Sequence, residues 1–275
     1  MTTESKPTPY KIVASDLDGT LLAPNHQLSS QTKRTLKTLH DKGFTFVFAT
    51  GRHHVDVAGI REIAGIPAYM ITANGARVHN QQDELMFSKD VPEELVQEIV
   101  DVLKDDPTIF VHIYRHNEWY LSGEDTESAK YHNQSGFTFT SFNTNQAPKD
   151  GVAKVFFTSR FQDHEHLAEY ETKLRERFQD KLSIAFSSPW CLEVMGPDVS
   201  KGDALKAVAE SMGLSLENCI AFGDGMNDQE MLTMAGKGLV MGTAHPKVLQ
   251  VLPTIERIGS SADDAVAHYL ENNLL

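Results

Sequence analysis

Acidic, basic and hydroxyl side chains gather at four places in the chain, following short apolar runs. The segments are Asp16-Leu17-Asp18-Gly19-Thr20, Thr50-Gly51-Arg52, Lys201, and Gly223-Asp224-Gly225-Met226-Asn227-Asp228. Together they would supply a carboxylate to attack, a second to carry a proton, donors for a phosphoryl group, and oxygen ligands for a hard metal. Asp16 as nucleophile would form an aspartyl-phosphate. Asp18 could protonate a leaving alkoxide and then deprotonate the attacking water. Gly19 lets the backbone turn away. Taken alone, Asp18-Gly19 reads as an ordinary turn. Three motifs in the same position after three strands read as a site.

Magnesium takes oxygen ligands, commonly one or two carboxylates with water and substrate phosphate oxygen. Asp16, Asp224 and the backbone carbonyl of Asp18 would suffice. Asp228 has two readings. It could hold a metal-bound water or orient Lys201, or it could be a first-turn aspartate that favours the helix dipole. Lys201 opens a helix, where a cation faces the positive end of that dipole; a phosphate and Asp16 beside it would offset the penalty. Thr50, the Gly51 amide at a helix N-terminus, and Asn227 could donate to phosphoryl oxygens. Gly223-Asp224-Gly225 begins like a dinucleotide fingerprint, but Asp228 stands where the third glycine would be, which argues against pyrophosphate binding.

The elements that must position these groups alternate. Lys11–Ser15 reads as a strand, Ser29–Lys42 as a helix capped by Ser29, and Phe44–Ala49 as a strand. Val55–Ala64 is helical and ends at Gly65; Ala68–Thr72 is a strand running into Asn74-Gly75. After Trp190 the style returns. Ser200 caps a helix stopped by Gly213, Cys219–Phe222 is a strand, Gln229–Ala235 a short helix and Leu239–Met241 a strand. This spacing predicts an α/β fold: a doubly wound, Rossmann-like parallel-sheet core with helices on its faces. In such sheets ligands bind beyond the carboxyl ends of the strands, where Asp16, Thr50 and Asp224 all fall. Between the halves lie helices near Pro92–Lys104 and His164–Phe178. Strand-like runs lie at Ile109–Tyr114, Trp119–Leu121, Val152–Thr158 and Leu182–Phe186. None ends in a catalytic motif. The expected division is core 1–84, an inserted α/β cap 85–190, and core 191–275.

The 275 residues are 40% hydrophobic, enough to bury a sizeable core. The net charge of -13 and the lack of a basic stripe argue against nucleic acid and anionic membranes as partners. Positive charge at the site would have to come from a metal, Lys201 and Arg52. Cys191 and Cys219 lack metal-binding spacing and read as reduced core cysteines. Met1–Pro9 has no apolar stretch of a signal peptide, and no run is long enough to cross a bilayer. A cytoplasmic protein is expected. The 12 histidines show no HExxH pattern; His53-His54 and His164-Glu165-His166 read as packing or solvated residues rather than zinc ligands.

The four motifs, in this order, resemble those of the haloacid dehalogenase superfamily of phosphatases, in its Cof-type subfamily. The resemblance covers essentially the whole chain. FVFATGRHHVDV, MITANGARVH, CLEVM and CIAFGDGMNDQEML are similar to stretches of that subfamily's sugar-phosphate and pyridoxal-phosphate phosphatases. It implies a magnesium-dependent phosphatase acting on small-molecule phosphate esters, with Asp16 as nucleophile and Asp18 as acid/base. It assigns the metal to Asp16, Asp18 and Asp224. It assigns phosphate to the Leu17 amide, Thr50, Gly51, Lys201 and Asn227. It places Arg52, Asn74, Gly75 and Ala76 toward the leaving group, together with the cap. A thiamin-precursor (hydroxymethylpyrimidine) phosphate is an alternative substrate. A phosphomutase or a catalytically idle sugar-phosphate sensor are alternative functions. P-type ion pumps share the chemistry but need membrane helices, and carry Lys-Thr where this chain has Leu17-Asp18.

Overall fold

The computed structural model describes residues 8–123 and 135–275. The expectation drawn from Met1–Pro9 lies mostly outside the described residues. The chain first lays down β1 (Ile12–Ser15), α1 (Ser30–Asp41), β2 (Thr45–Ala49), α2 (His54–Ala64), β3 (Ala68–Thr72), β4 (Arg77–His79) and β5 (Leu85–Ser88). It continues through α3 (Glu93–Leu103), β6 (Ile109–Arg115), β7 (Glu118–Leu121), β8 (Phe139–Ser141), β9 (Val152–Ser159), α4 (His164–Phe178), β10 (Ser183–Ser188) and β11 (Cys191–Met195). It returns with α5 (Lys201–Ser211), β12 (Cys219–Gly223), α6 (Gln229–Met234), β13 (Lys237–Val240), α7 (Pro246–Val251), β14 (Glu256–Arg257) and α8 (Ala265–Leu274).

One sheet has the order β14-β13-β12-β1-β2-β3-β4-β5, parallel from β14 to β3 and antiparallel at its β4-β5 edge. Its inner strands are buried on both faces, as a parallel sheet requires. Val13, Phe46 and Phe48 pack with Leu36 and Leu39 of α1 and Val57 and Ile60 of α2. Ile12, Ala14 and Val47 pack with Leu205 and Val208 of α5 on the other face. Local signals set the helix ends. Ser29 accepts from the Thr32 amide at the start of α1, and Gly65 closes α2 in a left-handed conformation.

A second sheet, β10-β11-β9-β6-β7-β8, is antiparallel apart from the β7–β8 pair. Helices α3 and α4 cover one face, with Leu95, Ile99, Leu174 and Phe178 packed on Val155, Phe157 and Leu192. The opposite face carries Phe110, Tyr114, Trp119 and Phe156. The chain crosses between the sheets at two adjacent points: a Cβ on Gly196 would lie 2.4 Å from the Asp90 carbonyl oxygen.

Neither expected boundary coincides with a change of sheet. The break at 84/85 falls inside the β4–β5 hairpin, and β5 belongs to the first sheet. The break at 190/191 falls inside the β10–β11 hairpin, and β11 belongs to the second. The turns that interrupt the sequence there, polar at 80–84 and Pro189-Trp190 at the second, are hairpin turns, not crossings.

Candidate active site

The parallel strands deliver three motifs to one rim. Asp16 follows β1, and its amide continues the ladder by donating to the Phe222 carbonyl at 2.9 Å. Thr50 follows β2 and donates its amide to the Ile71 carbonyl at 2.8 Å. Asp224 follows β12. Lys201, the first residue of α5, reaches the same point from one face and is fully buried. Its Nζ donates to Asp16 Oδ1 and to Asp228 Oδ1, each at 2.7 Å. Asp228 Oδ2 accepts from the amides of Asp224, at 2.9 Å, and Gly225, at 2.8 Å. Of the sequence readings of Asp228, the one that orients Lys201 is the one its contacts support.

Carboxylate oxygens of Asp16, Asp224 and Asp228 all lie within 4.8 Å of one another, the only such metal-capable group of three among the described residues. Burial raises the Asp16 carboxyl well above its ordinary range; Lys201 pulls the other way, and the charges of Asp228 and Asp224 add to the rise. Burial and the Asp228 charge push Asp224 up to about 7. Crowded carboxylates of this kind are relieved by a cation, and an all-oxygen donor set fits a hard divalent one. Both Asp228 oxygens are already engaged, and Asp224 Oδ1 accepts from Thr20 Oγ1 at 3.0 Å. Asp16 Oδ2 and Asp224 Oδ2 are therefore the oxygens best placed to hold a cation, were one bound.

The Asp18 side chain sits elsewhere. Arg52 grips it in a fork, Nε to Oδ2 at 2.6 Å and Nη2 to Oδ1 at 2.7 Å, and His26 Nδ1 meets Oδ1 at 2.9 Å. Burial opposes ionisation of this carboxyl. The hydrogen bonds and charge of Arg52, with those of His26, outweigh it and hold the group well below the usual carboxylate range. Arg52 also binds Asp56 Oδ2 at 2.7 Å. Asp16 and Asp224 thus share the rim with their side chains, whereas the Asp18 carboxylate is directed to a guanidinium and only its backbone carbonyl is left to face a metal. Gly19 makes this turn possible. Its φ is +77°, and a Cβ there would lie 2.4 Å from Asp224 Oδ2.

Of the expected phosphate donors, Lys201 binds Asp16, and Thr50, Gly51 and Asn227 line the same cleft. The amides of Leu17 and Gly51 make no hydrogen bond among the described residues; Gly51 lines the cleft, whereas Leu17 is fully buried. Asn227 Nδ2 donates one hydrogen to Asn74 Oδ1 at 3.0 Å and retains a second. Arg52 and Asn74 line the cleft, but Gly75 and Ala76 do not. Gly75 lets α5 approach, since a Cβ would stand 2.3 Å from the Ser200 carbonyl oxygen, and Ala76 is fully buried. Both are packed away from the cleft lining. His53 stacks on Phe137 and caps α2, while His164 and His166 bind the Pro189 carbonyl and Asp106.

The cleft above the rim has a volume of about 1460 Å³ and is walled by Phe110, Tyr114, Trp119 and Phe156 of the second sheet. Two buried residues on that wall had no role in the sequence reading: Lys154 on β9 and Glu193 on β11, each 2% exposed. The available signal was one charge inside an otherwise apolar strand, as in Val152-Ala-Lys-Val-Phe-Phe157.

Residues 13–270 match the family described as haloacid dehalogenase-like hydrolase. A Haemophilus influenzae protein classed provisionally as a phosphatase is 42% identical over 263 residues, 95% of this chain and 96% of its own. The HMP-PP phosphatase of Cronobacter sakazakii is 37% identical, with 94% of each chain covered. A haloacid dehalogenase-like hydrolase of Bacillus subtilis superposes with a TM-score of 0.84 at 26% identity, covering 96% of this chain and all of that one. With its motifs on one rim and most of its length matched by these proteins, the chain belongs to the haloacid dehalogenase-like hydrolases, as an enzyme of their phosphatase branch.

Proposed function

We propose that the protein is a magnesium-dependent phosphatase of small phosphomonoesters that works through an aspartyl-phosphate on Asp16. The observation that carries this reading is the Asp16 carboxylate, anchored by Lys201 beside Asp224 at the floor of the cleft. An oxygen of Asp16 attacks phosphorus, and the bond from phosphorus to the ester oxygen breaks. Lys201, Thr50, Asn227 and the free amides of Leu17 and Gly51 hold the phosphoryl oxygens. The leaving oxygen takes a proton from Asp18, which must first turn away from Arg52 and pick that proton up from solvent. Water then attacks the phosphorus, Asp18 accepts its proton, and Asp16 is released with inorganic phosphate. A divalent cation on Asp16, Asp224 and the Asp18 carbonyl would neutralise charge on the transferring group.

The aromatic wall and the size of the cleft suit a small ring-bearing ester, such as a sugar phosphate or pyridoxal 5′-phosphate. The second sheet supplies that wall, so we assign it the part of a substrate-reading cap. Its relatives among HMP-PP phosphatases favour hydroxymethylpyrimidine phosphates as a second reading. Among the described residues no helix is long and apolar enough to cross a membrane. Two unpaired cysteines fit a reducing compartment, and we place the enzyme in the cytoplasm. The test is phosphate release from a panel of p-nitrophenyl phosphate, hexose 6-phosphates, pyridoxal 5′-phosphate and hydroxymethylpyrimidine phosphate, with magnesium and with EDTA. Magnesium-dependent turnover is expected. No release from any ester, with binding retained, would make the protein a sensor instead.

A further inference from the structure

Lys154 and Glu193 form an ion pair between adjacent strands of the second sheet, sealed from solvent where that sheet meets the first. Burying two charges is unfavourable unless every donor and acceptor is matched. Here they are matched, and the partners are the phosphate loops themselves. Lys154 Nζ donates to Glu193 Oε1 and, at 2.7 Å, to the carbonyl of Gly51. It also lies over the Phe156 and Tyr114 rings, 4.4 Å and 4.9 Å from their centroids. Glu193 Oε2 accepts from Asn74 Nδ2, and Asn74 Oδ1 in turn accepts from Asn227 Nδ2. Asn74 holds a left-handed conformation, φ 59°, and its amide donates to the Thr50 carbonyl at 3.0 Å.

Two strands of the second sheet therefore hold two loops of the first. One is the Thr50-Gly51 turn, whose carbonyl Lys154 fixes; the other is the Asn227 side chain, whose amide Asn74 orients. We infer that Lys154 and Glu193 are positioning residues for phosphoryl transfer, a clamp that completes the phosphate cradle only while the second sheet is seated on the first. This rests on the assignment of Thr50, Gly51 and Asn227 to the phosphoryl group. Neither clamp residue touches the reacting atoms; each acts through a donor that does. Because the clamp grips phosphate donors, its loss should affect all esters alike.

The experiment uses the full-length enzyme with magnesium. Variants Lys154→Met, Glu193→Gln, Glu193→Leu and the double variant Lys154→Met/Glu193→Leu are compared on p-nitrophenyl phosphate and on a hexose 6-phosphate, with inhibition by inorganic phosphate as a second readout. A misplacement of about 1 Å can lower rates on the order of a hundredfold. Expected are losses in kcat/KM on that scale for Lys154→Met, equal within about threefold on the two esters, with weaker inhibition by phosphate. The isosteric Glu193→Gln keeps the acceptor for Asn74, so it should fold and fall between wild type and Lys154→Met. The double variant should lose less than the sum of its parts, because no lone buried charge remains. Folded variants with wild-type kcat/KM and phosphate inhibition would overturn the inference, and so would losses confined to one ester. Asp16→Asn in the same assays separates the two ideas. An active Asp16→Asn overturns the site itself, whereas an inert one beside unaffected clamp variants overturns only the clamp.

Discussion

Replacing Gly19 by alanine should damage the site through geometry alone. The Cβ would stand 2.4 Å from Asp224 Oδ2, where real Cβ atoms keep at least 3.0 Å. The carboxylate must therefore retreat by 0.6 Å (3.0 minus 2.4) or more. It cannot do so freely, because Thr20 Oγ1 holds its other oxygen at 3.0 Å. The backbone adds its own strain, since φ +77° is unfavourable for a residue with a side chain by about 1 kcal/mol or more. Together these should lower Tm by roughly 2–8 °C, at about 2–4 °C per kcal/mol for a chain of this size. The displaced ligand should lower kcat/KM on the order of tenfold to a hundredfold and raise the magnesium concentration needed for half-maximal rate. Gly43→Ala is the control. It has φ +90° with nothing within 4 Å of the added carbon, so it carries the strain without the collision and should keep full activity. The assay is phosphate release against magnesium concentration, with thermal melts of all three proteins. Equal activity losses in the two variants, or a Gly19→Ala enzyme within threefold of wild type, would refute the reasoning.

Asp16→Asn should abolish turnover while the protein stays folded, with a loss on the order of a thousandfold or more for a covalent nucleophile; a variant within tenfold of wild type would contradict the assignment. Asp18→Asn should still be phosphorylated by esters with good leaving groups and should suffer most on alkyl esters, where a proton is needed. Equal losses on aryl and alkyl phosphates would make Asp18 structural. In metal-free enzyme Asp224 titrates near 7 rather than 3.8. The folded state thus holds a proton that the unfolded chain has lost, and stability present below pH 3.8 is lost as pH rises toward 7. Added magnesium should therefore raise Tm more at pH 8 than at pH 6, and binding at pH 6 should release protons; melts and titrations that show no pH dependence would count against Asp224 as a ligand.

The sequence by itself determined what short-range physics controls. Apolar runs of strand length alternate with capped helices, so a parallel sheet and its rim follow from the order of residues. Asp16, Thr50 and Asp224 reach that rim because a strand fixes where its last residue emerges. Ser29 and Gly65 set helix ends through contacts within a few residues, which a linear reading captures. Whatever depends on which surface faces which was decided only by the tertiary structure. The direction of the Asp18 carboxylate depends on Arg52, 34 residues away. From the sequence Asp228 is open between serving the metal or Lys201 and favouring a helix dipole; Lys201, arriving from another element, sets it against that lysine. The two hairpins look like domain breaks because turn residues punctuate hairpins and crossings alike. Lys154 and Glu193 lie on antiparallel strands, where alternating charges usually face water. They are buried because a second sheet closes over the first, and no local pattern encodes that apposition.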